Sequence, residues 1–113
     1  MVKHVAEYEM EKRIRDALLL DLYGALLTER QNSLLECFLC EDLTITEIAG
    51  QFAISPQAAS DIVKRAQAAL EGYERKLRHY EKLQAGTKLL DRLEAMSYGS
   101  EALEIIEKLR DTL

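Results

Sequence analysis

Apolar positions recur along this chain at helical spacing almost from end to end. Met10, Ile14, Ala17, Leu18, Leu22 and Ala25 form one stripe, and Leu19, Leu20, Tyr23, Leu26 and Leu27 form a second. Together they predict a first helix from about Ala6 to Leu27. A helix apolar on two sides needs two partners, either neighbouring helices or another subunit. No sustained alternation of apolar and polar residues marks a strand, and no Asn-Gly or Asp-Gly pair marks a hairpin. With one proline and five glycines in 113 residues, the chain reads as all-α.

Start signals divide the remainder of the chain into further helices. Thr28 with Gln31 three residues on is a capping box, and it opens a second helix carrying Leu34, Leu35, Phe38 and Leu39, which stops near Glu41 and Asp42. Thr44 with Glu47 repeats the signal for a short third helix, Ile45 to Phe52, that buries Ile48, Ala49 and Phe52. Ser55 caps a fourth helix whose first position is Pro56, where a missing N–H is harmless. In that helix Ala59, Val63, Ala66, Leu70, Tyr73, Leu77 and Tyr80 alternate in steps of four and three, the spacing of a coiled-coil seam. Continued to about Gln84, it would be about 43 Å long at about 1.5 Å per residue. Gly72 inside it weakens the helix by about 1 kcal/mol relative to Ala.

Gly86 is expected to break the helix, with Thr87 capping the next one, which carries Leu89, Leu90, Leu93 and Met96. A turn at "SYGSE" then leads to a last helix with Leu103, Ile106, Leu109 and Leu113 on one face. The predicted organisation is a helix-turn-helix domain over residues 1–85, with an N-terminal helix and an extended recognition helix, and a helical C-terminal tail over residues 86–113.

The three-residue corner "AIS" between the third and fourth helices gives the centre a tri-helical, helix-turn-helix character. Ala49 is small where those helices cross, Ile54 fills the space beneath the turn, and Ile62 and Val63 anchor the incoming helix. In such a fold the first two turns of the second helix meet base edges. The candidates are Gln57, Ser60 and Asp61, followed by Lys64 and Arg65. Gln57 suits adenine, Ser60 a base or phosphate, and Asp61 the N4 amine of cytosine, although Asp61 also repels phosphate. Pro56 and Ala58 offer only apolar contact. The formal net charge is −5 and the isoelectric point about 5.1, the opposite of most nucleic-acid binders. Two readings of this helix stay open, a DNA reader and an inherited scaffold with weak or no DNA binding.

Further along, Lys64, Arg65, Arg75, Lys76, Arg78 and Lys82 stand against Glu71, Glu74 and Glu81. Interleaved signs usually make a solvated face with i,i+4 pairs. The other reading is a face, Arg75, Lys76, Arg78 and Lys82, for RNA or an acidic protein surface. Tyr23, Tyr73 and Tyr80 occupy packing positions, with base stacking as the alternative.

No constellation supports catalysis, and no cofactor or metal is expected. Cys37 and Cys40 lie three apart beside Leu34, Phe38 and Leu39, lack the further ligands that zinc requires, and read as small core hydrophobes. His4 and His79 stand apart. Asp42 with Glu47, and Asp61 with Glu71, follow capping and surface logic. Asp21, alone in an apolar helix, is expected to pair with Arg13 or Arg30, the alternative being an acid in a pocket. The charged start "MVKHVAEYEMEKRIRD" is unlike a secretion signal, and "ALLLDLYGALL" is too short to span a bilayer, so a cytoplasmic protein with no membrane partner is expected.

The segment from Leu18 to Leu77 resembles the YlxM family, also grouped as UPF0122, small bacterial proteins whose helix-turn-helix is similar to region four of sigma factors. The matching pattern runs Leu-Leu-x-x-Tyr-x-x-Leu-Leu-Thr-x-x-Gln at Leu19–Gln31 and Asp-Leu-Thr-x-x-Glu-Ile-Ala at Asp42–Ala49. It continues with Ile-Ser-x-Gln-Ala at Ile54–Ala58 and Asp-x-Val-Lys-Arg at Asp61–Arg65. The likeness covers roughly residues 7 to 85. It implies a gene beside those of the signal recognition particle GTPase or its receptor, and a regulatory or accessory role in that targeting pathway. The partners implied are DNA, or the particle's GTPase or RNA. The chain departs from the pattern at Pro56, where an Arg commonly follows the capping Ser, and at Ala59, where a larger branched residue is usual. The first change removes a phosphate or guanine contact.

These features give an expected non-enzymatic regulatory protein of the targeting pathway. A sequence-specific DNA-binding regulator is the second reading, and a structural dimer with no nucleic-acid partner the third. The two-faced first helix, the heptad seam and the apolar tail exceed what one three-helix core buries, so a homodimer is expected.

Overall fold

The computed structural model describes residues 2–96 and 99–113, with side chains from residue 9 onward. The expected turn at Ser97 and Tyr98, and the side chain of His4, lie outside the described residues. Among the described residues six α-helices succeed one another: α1 (Val2–Tyr23), α2 (Glu29–Leu39), α3 (Ile45–Phe52), α4 (Pro56–Leu77), α5 (His79–Ala95) and α6 (Ser100–Thr112). No strand occurs among the described residues. The chain divides into two compact units, Met1–Leu77 and Arg78–Leu113.

In the first unit, α1, α2 and α3 all pack on α4. The core is Leu19, Leu20 and Tyr23 from α1, Leu34, Leu35 and Cys37 from α2, Ile48 and Ala49 from α3, and Ala59, Val63, Ala66 and Leu70 from α4. The helix starts are those the caps predict. Thr28 and Gln31 exchange two hydrogen bonds, of 3.1 and 3.2 Å, and Thr44 and Glu47 do the same at 3.2 and 3.0 Å. Donation from the Thr44 backbone N–H, the larger cause, together with the Thr44 side chain, holds the Glu47 carboxyl below its usual value. Phe52 and Ile54 are half-buried rather than sealed in the core.

α1 differs from expectation in its end and in its faces. It stops at Tyr23, and the chain passes through a 3-10 turn at Gly24–Leu26. The cause is close packing. Asn32 donates to the Gly24 carbonyl at 2.8 Å, and a Cβ on Gly24 would lie 2.9 Å from the same amide nitrogen. Of the two stripes, the one with Leu19, Leu20 and Tyr23 enters the core. Met10 and Ile14 on the other remain 65% and 56% exposed.

The long coiled-coil helix is not found. Arg78 adopts a left-handed conformation (φ 56°) and separates α4 from α5, although the sequence has neither Gly nor Pro there. Its guanidinium grips Glu81 at 2.9 and 3.2 Å. Gly86, expected to break the helix, lies inside α5, and the expected boundary after residue 85 coincides with no break. A Cβ on Gly86 would come within 3.1 Å of Leu113, so this glycine serves helix packing in the second unit. The heptad seam also ends early, because Leu77 is exposed and the α4 core line passes from Leu70 to Glu74.

A polar seam joins α1 to α4. Arg15 makes two 3.1 Å bonds to Glu71, Gln67 donates to Asp16 at 3.1 Å, and the Tyr23 hydroxyl donates to buried Glu74 at 2.7 Å. Elsewhere Arg13 stacks 4.7 Å over Phe38 and bonds both the Phe38 carbonyl and Asp42. Arg13 is therefore engaged, and Asp21, expected to pair with it or Arg30, is instead an exposed residue. Among the described residues no buried side-chain polar atom lacks a hydrogen bond.

The second unit is a helix pair, α5 against α6, closed by Leu90 and Ile106. Arg110 braces it with bonds to Asp91 at 2.8 Å and Glu94 at 2.6 Å. Of the apolar face expected on the last helix, only Ile106 is buried, while Leu103, Leu109 and Leu113 are exposed.

Asp16 generates a pH dependence. Burial raises its carboxyl above the ordinary value of 3.8, outweighing Lys12 and the bond from Gln67. A raised folded-state value means a contribution fully present in acid, below 3.8, and lost as pH rises through the folded-state value. Asp16→Asn is expected to stabilise the fold more at about pH 7 than at about pH 4, read from urea midpoints of variant and parent. An equal effect at both pH values would contradict this assignment.

Candidate nucleic-acid interface

The corner is built by the residues between α3 and α4. Ala53 takes a left-handed conformation (φ 55°), and the Ile54 N–H reaches back to the Ala49 carbonyl at 3.0 Å, closing α3. The Ser55 hydroxyl accepts from the Ala58 N–H at 3.0 Å and opens α4. Pro56 is exposed at the first position of α4. Two of the first N–H groups are thus absent or engaged, which leaves this helix start less able to hold an anion than most.

The buried line of α4 (Ala59, Val63, Ala66 and Leu70) fixes which side faces out. At about 3.6 residues per turn, Gln57, Ser60, Asp61, Lys64 and Arg65 fall on the opposite side. Gln57, Asp61, Lys64 and Arg65 are exposed, and Ser60 is half-buried. The five candidate residues therefore share one surface strip on α4. Arg75 and Lys76 continue that strip in the last turn of α4 and are also exposed. Arg78 and Lys82 lie beyond the break, in the second unit.

The cations of α4 are solvated, as expected, but Glu71 makes no i,i+4 pair with Arg75. Glu71 turns to Arg15, Glu74 is buried beneath the Tyr23 hydroxyl, and Glu81 pairs with Arg78 at a spacing of three. Among the described residues no carboxylate pairs with Lys64, Arg65, Arg75 or Lys76. Asp61 is the exposed acid left on that side of α4.

Tyr23 and Tyr73 pack rather than await a base. Tyr23 is buried, its ring centre 6.1 Å from that of Tyr73, and Tyr73 donates to the Leu26 carbonyl at 3.2 Å. Tyr80, in the second unit, is half-buried. Cys37 is buried but Cys40 is exposed, which corrects the expectation of two core thiols. Both thiols titrate above their ordinary value, Cys37 through burial and Glu41, Cys40 through burial and Glu36. No cluster of three or more His, Cys, Asp or Glu able to hold a metal occurs among the described residues. No helix among them is long and apolar enough to cross a membrane.

Over residues 10–111 the chain matches the family described as "Putative helix-turn-helix protein, YlxM / p13 like". The chain belongs to this helix-turn-helix family. It is 39% identical to a UPF0122 protein of Oceanobacillus iheyensis over 90% of this chain and 97% of that one. It is 41% identical to one of Listeria innocua, over 91% and 92% of the two chains. The UPF0122 protein YlxM of Bacillus subtilis is 36% identical over 92% and 94%. The all-α fold accords with membership, and the family description names a helix-turn-helix rather than an enzymatic activity.

Of the acids in the α1–α4 seam, Asp16 was not singled out from the sequence and Glu74 was read only as part of the charged face. Both sit on core lines, Asp16 three residues before Leu19 and Glu74 four after Leu70. An acid that continues an apolar stripe was the available signal.

The cap that sets the pose of α4 can be tested directly. Ser55→Ala is expected to lower stability by about 1 kcal/mol in urea unfolding, since it frees the Ala58 N–H. A change below a few tenths would show that the corner is held by packing alone.

Proposed function

We propose that this chain is a non-enzymatic regulatory protein that binds nucleic acid through α4 and acts in the cytoplasm, in the signal recognition particle pathway. One observation carries the binding half of this reading. Glu71 and Glu74 are turned into the α1–α4 seam, so Lys64, Arg65, Arg75 and Lys76 face solvent without partner acids. A local polyanion site results even though the net charge is −5. The targeting half comes from the resemblance at Leu19–Gln31, Asp42–Ala49 and Asp61–Arg65, which implies a gene beside those of the particle's GTPase or receptor.

Capture from a bacterial lysate, with copurifying RNA and DNA sequenced, should enrich the particle's RNA or its GTPase. Lys64→Ala with Arg65→Ala should weaken nucleic-acid binding and flatten the log–log salt slope by about 1.8, for two lost phosphate contacts. Enrichment of neither partner, with an unchanged salt slope, would remove the proposal.

A sequence-specific DNA regulator is favoured by one feature, the exposed Gln57 and half-buried Ser60 directly after a well-capped helix start. Asp61→Asn separates the two readings. It weakens binding where the carboxylate accepts from cytosine N4, and tightens binding where it only repels phosphate.

A second copy of the chain is the protein partner we propose. Met10, Ile14 and Ala17 with Leu39 line an open groove of about 440 Å³ whose rim carries Glu9 and Arg13. In a two-fold contact this strip meets itself, with a charge of each sign on either rim. Equilibrium sedimentation at micromolar concentration should give a dimer, and Ile14→Asp a folded monomer. A monomeric parent protein would end this part of the reading.

A further inference from the structure

We infer that the nucleic-acid grip of this chain is centred on Lys64–Lys76, not on the first turns of α4, and that it holds the two phosphate walls of the B-DNA major groove without reading bases; this rests on the proposed binding of nucleic acid through α4 and deepens it. Lys64 and Arg65 recur as Arg75 and Lys76 eleven residues later. Eleven residues are close to three helical turns, so the two cation pairs lie on one side of α4 about 16 Å apart. The B-DNA major groove is about 12 Å wide and admits an α-helix. With α4 laid across the groove, flexible stems at that separation place one pair over each wall. The narrow major groove of A-form RNA does not match that span, so the geometry favours DNA.

Between the pairs the same side of α4 carries Ala68 and Gly72, neither able to hydrogen bond through a side chain. Gln67 and Glu71 on its flank are engaged by Asp16 and Arg15. Nothing there can read a base edge. Gly72 is the telling residue. A Cβ at that position would meet only the Arg75 guanidinium, at an ordinary 3.8 Å, so packing within the chain does not exclude a Cβ. A helix-weakening residue where the fold would accept a Cβ sits where a bulky side chain would keep a second molecule away. Ala69, Gly72, Tyr73, Arg75 and Lys76 line an open depression of about 540 Å³.

The test uses the full chain and fluorescence anisotropy, with two DNA duplexes of unrelated sequence, each about 20 base pairs or two turns long, and an RNA duplex matching one of them. Both DNAs should bind within about threefold of each other, and the RNA about tenfold more weakly or worse. The four cations predict a log–log salt slope near −3.6, or about 150-fold weaker binding between about 50 and 200 mM salt. Arg75→Ala with Lys76→Ala should flatten the slope as much as Lys64→Ala with Arg65→Ala, by about 1.8. Gly72→Met should raise the melting temperature and abolish binding.

The inference is overturned if Gly72→Met melts higher yet binds normally, or if RNA binds as tightly as DNA. It also fails if only the Lys64 and Arg65 variant loses affinity. In those outcomes nucleic-acid binding through α4 still stands. Binding to neither duplex would remove both.

Discussion

A carboxylate buried among helices must be held by a donor, and Glu74 is held by the Tyr23 hydroxyl at 2.7 Å. Breaking such a bond leaves a buried polar group unsatisfied, at a cost of about 1–3 kcal/mol or more where the group is charged. The apolar core, from Leu19 to Leu70, supplies the bulk of the burial. The polar seam is more selective. Arg15 with Glu71, Asp16 with Gln67 and Tyr23 with Glu74 are satisfied together in one register. By this reasoning the seam contributes more to the uniqueness of the packing than to its free energy. It also has an outward effect, because each acid α4 sends into the seam is one fewer beside its exposed cations.

The sequence was most legible where the chemistry is local. Both capping boxes, the Ser55 cap, the bounds of α3 and the three-residue corner need only residues within one turn of each other, and all form as expected. Misreadings arose where a neighbour decides. At Gly24, where α1 has just ended, a Cβ would press Asn32, and at Gly86, inside α5, a Cβ would press Leu113. Neither neighbour is within a helical turn in sequence. The heptad reading of α4 failed for a related reason. Steps of four and three beyond Leu70 fit Tyr73 and Leu77, but a core line fixed by α1 prefers Glu74. The candidate strip, Gln57 to Arg65, was legible because the apolar line of α4 fixes its opposite face. The inward turn of Glu71 and Glu74 was not, because it depends on Arg15 and Tyr23, about fifty residues away in sequence.

An acidic protein with a basic strip raises a question of range. Beyond about 10 Å at ordinary ionic strength, exposed charges are largely screened, so the net charge of −5 governs little except the first approach. At contact distance only the nearest groups count, and on α4 these are four cations against Asp61. Long-range steering is therefore weak or unfavourable, while contact itself is favourable. Under the proposed binding through α4, such a surface gathers slowly on open duplex and gains most where something else, such as the proposed second copy, has already brought the two together. A regulator that acts only inside an assembly has use for that combination, whereas one that searches a genome alone would be expected to carry positive charge over its whole surface.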